Sequence, residues 1–129
     1  MKVLFLCTGN SCRSQIAEGF LAQIENFESF SAGTKPASQV NPNAISVMQE
    51  IGIDISANKP KLVSQFIDQE FDIVVTVCDS AKENCPVFTG KVTNRIHRSF
   101  EDPDGFGIEK FREVRDLIKV FIDNLVEDL

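Results

Sequence analysis

Cys7 and Arg13 stand six positions apart in Cys7-Thr8-Gly9-Asn10-Ser11-Cys12-Arg13-Ser14, directly after an apolar run. A thiol and a guanidinium bracketing a polar, glycine-containing loop can form a nucleophile inside an oxyanion cradle. Gly9 and Asn10 tolerate left-handed backbone, so the loop can curl and turn successive N–H groups inward as an anion-binding nest. A helix starting near Cys12 or Arg13 adds free N–H groups and its positive dipole end. Arg13 adds a planar fork of donors matched to two oxygens of a tetrahedral anion. These surroundings are expected to depress the pKa of Cys7 and populate its thiolate, and Ser14 can donate a hydroxyl hydrogen bond to the sulfur. The predicted oxyanion-binding set is Thr8, Gly9, Asn10, Ser11, Cys12, Arg13 and Ser14. A lone Cys7 would read as an inert buried thiol; its neighbours, in register between strand and helix, argue against that. Cys12 reads chiefly as packing at the helix start.

A second pair of thiols, Cys78 and Cys85, is separated by seven positions across Asp79-Ser80-Ala81-Lys82-Glu83-Asn84. That spacing does not suit zinc, whose cysteine pairs are separated by two to four residues, and no metal site is expected. A thiol at a strand end and one on a neighbouring mobile segment can meet when the segment rearranges. Read alone, the pair could equally be two small hydrophobes. Asp102, in Glu101-Asp102-Pro103-Asp104-Gly105, is biased to extended backbone by the following proline and can serve as a general acid near an anion site. Taken alone, the segment would be a turn. His97 is the single histidine, and nothing around it in sequence makes a ligand set.

These residues need elements to position them. Residues 1–6 read as a strand buried on both faces, and Ala17, Phe20, Leu21 and Ile24 recur at helical spacing over 13–25. A short strand follows over 27–31. Asn41-Pro42 starts a helix with buried Ala44, Val47, Met48 and Ile51, stopped by Gly52. Residues 60–67 read as a shorter helix, 71–77 as a second apolar strand and 94–97 as a last strand. Phe111, Val114, Leu117, Ile118, Phe121, Ile122 and Leu125 form a closing helical stripe. The alternation predicts an α/β fold, a doubly wound four-stranded parallel sheet with helices on both faces, over a single catalytic domain 1–129. In such sheets the site lies beyond the carboxyl ends of the strands, where Cys7, Cys78 and the segment after 94–97 converge.

Composition agrees with a soluble enzyme. The 129 residues carry a formal net charge of −6, which argues against a nucleic-acid or membrane partner. No run approaches membrane-spanning length, and the first residues read as a strand, not a signal peptide. Four cysteines without a secretory signal fit a reducing cytoplasm. The eleven phenylalanines, with no tryptophan or tyrosine, read as core filling. A monomer is expected.

The chain resembles the low-molecular-weight protein tyrosine phosphatases, and more closely the thioredoxin-coupled arsenate reductases built on that fold. The matching segments are Cys7-Thr8-Gly9-Asn10-Ser11-Cys12-Arg13-Ser14-Gln15, Ala17-Glu18-Gly19, Ser31-Ala32-Gly33, Val40-Asn41-Pro42, Cys78 with Cys85-Pro86, and Phe100-Glu101-Asp102-Pro103. The phosphatases typically carry proline after the serine and do not need the Cys78/Cys85 pair. The resemblance implies arsenate as substrate, with phosphate or sulfate as competing oxyanions and thioredoxin as reductant, and no cofactor. It implies that Cys7 attacks arsenic, that Asp102 assists loss of hydroxyl as water, and that a disulfide passes from Cys7–Cys78 to Cys78–Cys85. Some members hold potassium beside the loop through Asn, Glu, Ser and Asp. Asn10, Glu18 and Ser31 match, but Lys61 stands where the Asp belongs, so no potassium is expected. Two alternatives remain: a phosphatase using Cys7, Arg13 and Asp102 through a phosphocysteine, and a non-enzymatic anion or thiol-redox sensor.

Overall fold

Lys2–Cys7 places five buried residues in succession and forms β1, an interior strand of the sheet. β-branched and large apolar side chains on both faces suit a strand covered from two sides. The computed structural model describes residues 1–129. It contains β1, α1 (Arg13–Leu21), β2 (Glu28–Gly33), α2 (Pro42–Gln49), β3 (Phe71–Thr76), α3 (Asp79–Asn84), β4 (Val92–His97) and α4 (Ile108–Glu127). All pairings are parallel in the order β2-β1-β3-β4. This is the expected doubly wound sheet. Its order reverses direction between β1 and β3, so the crevice opens where Cys7 ends β1 and Cys78 follows β3.

Helices α1, α2 and α4 pack together, while α3 packs separately against β1 and β3. Val3, Leu4, Phe5 and Leu6 are fully buried, as are Ile16, Leu21, Met48 and Ile118. Each such side chain contributes about 1.5–3 kcal/mol relative to exposure. Phe30, Phe66 and Phe88 surround Phe71 with edge-on contacts, centroids 5.8–6.3 Å apart, so these phenylalanines fill the core.

Four sequence expectations need correction. The first helix ends at Leu21 rather than near residue 25, because its last turn tightens: Gln23 and Ile24 N–H donate to Phe20 and Leu21 carbonyls. Asn26 then takes a left-handed φ of 74° and ends the run. Residues 60–67 contain only a three-residue 3₁₀ turn, Val63–Gln65. Their first part is extended because the backbone is already engaged: Gly33 N–H donates to Lys61 O, and Lys61 N–H donates to Asn10 Oδ1. Ile51 lies past the end of α2, 42% exposed, and Ile53 packs on the core in its place. Leu117, 48% exposed, falls one residue off the buried line formed by Phe111, Val114, Ile118, Ile122 and Leu125. The other elements follow the expectation, including α2, where Asn41 Oδ1 accepts from Asn43 N–H at 2.9 Å ahead of Pro42.

Candidate active site

The Cys7 loop is turned inside out by the segment that follows β2. Carbonyls of Cys7, Thr8, Gly9 and Ser11 accept N–H bonds from Thr34, Lys35, Ala37 and Asn41 at 2.9–3.2 Å. With its carbonyls occupied on the outside, the loop leaves the N–H groups of Thr8, Gly9, Ser11 and Cys12 without protein acceptors. They are the donors of an anion nest. Asn10 makes the curl at a φ of 50°, a region that asparagine tolerates. The cavity so formed has a volume of about 210 Å³ and is lined by the loop residues Cys7, Thr8, Gly9, Ser11, Cys12 and Arg13 together with Ala37, Asp102 and Asp104. Cys12 therefore lines the cavity while being almost wholly buried.

A buried hydrogen-bond chain orients the Cys7 sulfur. Asn10 Nδ2 donates to Ser14 Oγ at 2.8 Å and to Ser31 Oγ at 2.9 Å. Because Ser14 Oγ already accepts from Asn10, its own proton is free to point at Cys7 Sγ, 2.8 Å away. Asn10 N–H adds a second donor to that sulfur at 3.2 Å. Ser31 Oγ donates to Glu18 Oε1 at 2.6 Å. Burial raises the Glu18 pKa, against the Ser31 hydrogen bond and the charge of Lys61. Lys61 itself donates from Nζ to Lys59 O at 3.0 Å.

The expectation of a depressed Cys7 pKa is overturned. Burial pushes the Cys7 thiol above its ordinary value of 9.0, outweighing Ser14, Arg13 and the Asn10 N–H, which all pull down. Burial likewise pushes Cys12 up to about 12. Desolvation wins because the sulfur is almost wholly removed from water, Cys7 being 2% exposed. Alkylation of Cys7 by iodoacetamide should therefore be slower at pH 7 than for free cysteine and climb through pH 9, since only thiolate reacts. Ser14→Ala removes a group that favours the thiolate and should move the profile to still higher pH; a shift to lower pH would contradict this geometry.

Arg13 is anchored at the mouth. Its Nη1 donates to Phe100 O at 3.0 Å, and Nη2 lies 3.5 Å from Asp102 Oδ2. Nε is buried with no protein partner, a donor left free. Phe100 is held in turn by Phe121 of α4, centroids 5.8 Å apart, and by the Arg98 guanidinium at 4.7 Å. Asp102 is half exposed and accepts from Asp104 N–H at 3.0 Å, so the turn and the site coexist in one segment.

Cys78 is the N-cap of α3, buried, with Sγ accepting from Ala81 N–H at 3.4 Å. Thr8 Oγ1 of the nucleophile loop lies 3.5 Å from Cys78 Sγ. Cys85 is at the other cap of the same helix, half-buried, in a separate cavity of about 240 Å³ with Thr76, Arg95 and His97. Burial pushes its thiol up and Arg95 pulls it down. All four cysteines are free thiols. The structure thus brings Cys7, Arg13, Asp102 and Cys78 to one rim, with Cys85 one short helix away. Sequence reasoning missed the Thr34, Lys35 and Ala37 bracing of the loop; only the preceding Ser31-Ala32-Gly33 carried a signal for it.

The family model for low molecular weight phosphotyrosine protein phosphatase matches residues 2–129. The chain belongs to that family. A Staphylococcus epidermidis protein named arsenate reductase 1 is 46% identical over 123 residues, 94% of this chain and 92% of that protein. A solved arsenate reductase in the phosphate-binding state superposes with a TM-score of 0.86 at 35% identity, covering 98% of this chain and 97% of that one. The YwlE arginine phosphatase from Geobacillus stearothermophilus superposes at 0.79 with 30% identity, covering 98% and 91%. The matched relatives thus include proteins named arsenate reductase and one named arginine phosphatase.

Proposed function

We propose that this family member reduces arsenate to arsenite through Cys7, Cys78 and Cys85, as a single catalytic domain regenerated by thioredoxin. The observation that carries the reading is a second thiol, Cys78, whose Sγ lies 3.5 Å from the hydroxyl of a residue in the nucleophile loop. A phosphatase has no use for it. The cavity lining includes no aromatic side chain to hold a phosphotyrosine ring.

Arsenate docks on the Thr8, Gly9, Ser11 and Cys12 N–H groups and Arg13, with Ser14 braced on the sulfur by Asn10. The dianion can take the Cys7 proton on contact, which supplies the thiolate that burial otherwise disfavours. Cys7 Sγ then forms the S–As bond, and a hydroxyl leaves as water with the proton taken from Cys7, its departure assisted by Asp102 beside Arg13. Cys78 attacks Cys7 Sγ; the S–As bond breaks with its electron pair going to arsenic. Arsenic is reduced from the pentavalent to the trivalent state, arsenite departs, and the two thiols are oxidised to a Cys7–Cys78 disulfide.

Cys85 next attacks Cys78 and releases Cys7. This step needs a large movement. Caps of a six-residue helix are about 10 Å apart along its axis, beyond the roughly 7 Å that a disulfide spans between Cα atoms. α3 must unwind, which carries the disulfide to a surface that a protein reductant can reach. A dithiol of the thioredoxin type reduces an exposed disulfide by attacking one of its sulfurs through a mixed disulfide. A reducing cytoplasm is the compartment that fits four free thiols.

The test couples arsenate to NADPH oxidation through thioredoxin and its reductase. Cys78→Ser should abolish that turnover while sparing hydrolysis of an aryl phosphate, which needs only Cys7, Arg13 and Asp102. Equal loss of both activities, or loss of neither, would sink the relay.

A further inference from the structure

Helix α3 is too short to be stable alone, since isolated helices below about 12–15 residues are marginal in water. Its own bonds are modest: Cys78 Sγ is a weak acceptor for Ala81 N–H, and Asn84 Nδ2 closes back on Ser80 O at 2.8 Å. Ala81 is its one buried residue. Among its six side chains, a single one bonds outside the helix. That is Asp79, whose Oδ1 lies 2.8 Å from His97 Nε2. The other ring nitrogen, Nδ1, lies 2.7 Å from Thr76 Oγ1. Thr76 on β3 and His97 on β4 are register partners, so both the strands and the hydroxyl fix the ring's orientation. Asp79 directly follows Cys78, and His97 lines the cavity that holds Cys85.

We propose that the Thr76–His97–Asp79 chain is the latch of α3, a positioning device that holds Cys78 for its attack and opposes the unwinding that lets Cys85 reach it. This rests on the relay reading above. Neutral His97 can accept from Thr76 and donate to Asp79; protonated, it donates to both. The latch therefore persists in either state of the ring. Its strength is bounded by exposure: the Asp79 side chain is 76% exposed, which places the pair in the range of surface ion pairs. An interaction of that size biases a marginal helix toward its wound state without locking it.

The experiment uses a Cys7→Ser background, so that only the distal pair is read. The protein is equilibrated in glutathione buffers, and the Cys78–Cys85 disulfide is quantified by alkylation and peptide mass. In this equilibrium the two thiols give two electrons to glutathione disulfide, which becomes two glutathione thiols. Releasing the latch favours the unwound helix and hence the disulfide. His97→Ala and Asp79→Ala should each shift the equilibrium constant toward disulfide by on the order of fivefold. The double variant should shift no further than either single one, and His97→Gln, whose amide can still donate to Asp79, should stay near the parent. Unchanged constants, additive shifts, or a shift toward dithiol would overturn the latch. Hydrogen exchange of the α3 amides, about fivefold faster in both single variants, reads the latch without any disulfide. If no disulfide forms in any variant, the relay fails and that exchange rate alone decides the latch.

Discussion

Cys85→Ser should leave a protein that produces at most one arsenite per molecule and then stops. Cys7, Arg13, Asp102 and Cys78 are untouched, so the first encounter with arsenate runs to the Cys7–Cys78 disulfide. That disulfide has no thiol to draw it outward, and Cys7 is 2% exposed and Cys78 4%, beyond the reach of a protein reductant. The check is rapid-quench arsenite measurement beside mass analysis of the trapped disulfide. Sustained thioredoxin-dependent arsenite production by the variant would refute the relay outright. Aryl phosphate hydrolysis by the reduced variant should match the parent, because Cys85 belongs to a different cavity from Cys7.

Gly33→Ala should disable the site without touching any group that meets the substrate. Gly33 ends β2 opposite Cys7, and a Cβ placed there would stand 2.4 Å from Thr8 O and 3.0 Å from Asn10 N. Those are backbone atoms of the nucleophile loop and have no rotamer with which to yield. The loop must shift, and a displacement near 1 Å in a catalytic constellation lowers activity by about a hundredfold. Overpacking of this kind costs about 1–3 kcal/mol, so the melting temperature should fall by roughly 5–10 °C. A variant with parental activity would show that the loop is more compliant than its hydrogen bonds imply. Calorimetry and steady-state rates on the same preparation separate the two effects.

The nucleophile loop, the four strands and the distal thiols were legible because each rests on local pattern. An apolar hexapeptide, a left-handed-tolerant Gly-Asn pair and an Asn-Pro helix start announce themselves within a few residues. Two features were not legible for the same reason in reverse. Residues 60–67 carry helix-compatible composition, yet Lys61 lies extended because Asn10 and Gly33, far away in sequence, claim its backbone. The Cys7 pKa departs from the expectation because the residue types around it favour thiolate, whereas the deciding quantity is how completely the fold removes water. Neither tertiary hydrogen bonds nor depth of burial can be read from neighbouring letters. Ile51 falls in the turn after α2 and Leu117 one residue off the α4 stripe, so both meet solvent.

The Asn10 amide welds the cradle before any anion arrives: it ties Ser14, Ser31, Gln15 and the Lys61 backbone to one curled residue. Such a preformed receptor fits tetrahedral oxyanions by shape and charge, and phosphate shares both with arsenate. Discrimination on the proposed route therefore falls after capture. Only an adduct whose central atom can accept the electron pair of the broken sulfur bond lets Cys78 complete its attack. Phosphorus, which has no comparable reduced state within reach of a thiol, can occupy the receptor and leave unchanged. Selectivity becomes a property of redox chemistry, and abundant phosphate slows the protein without being consumed.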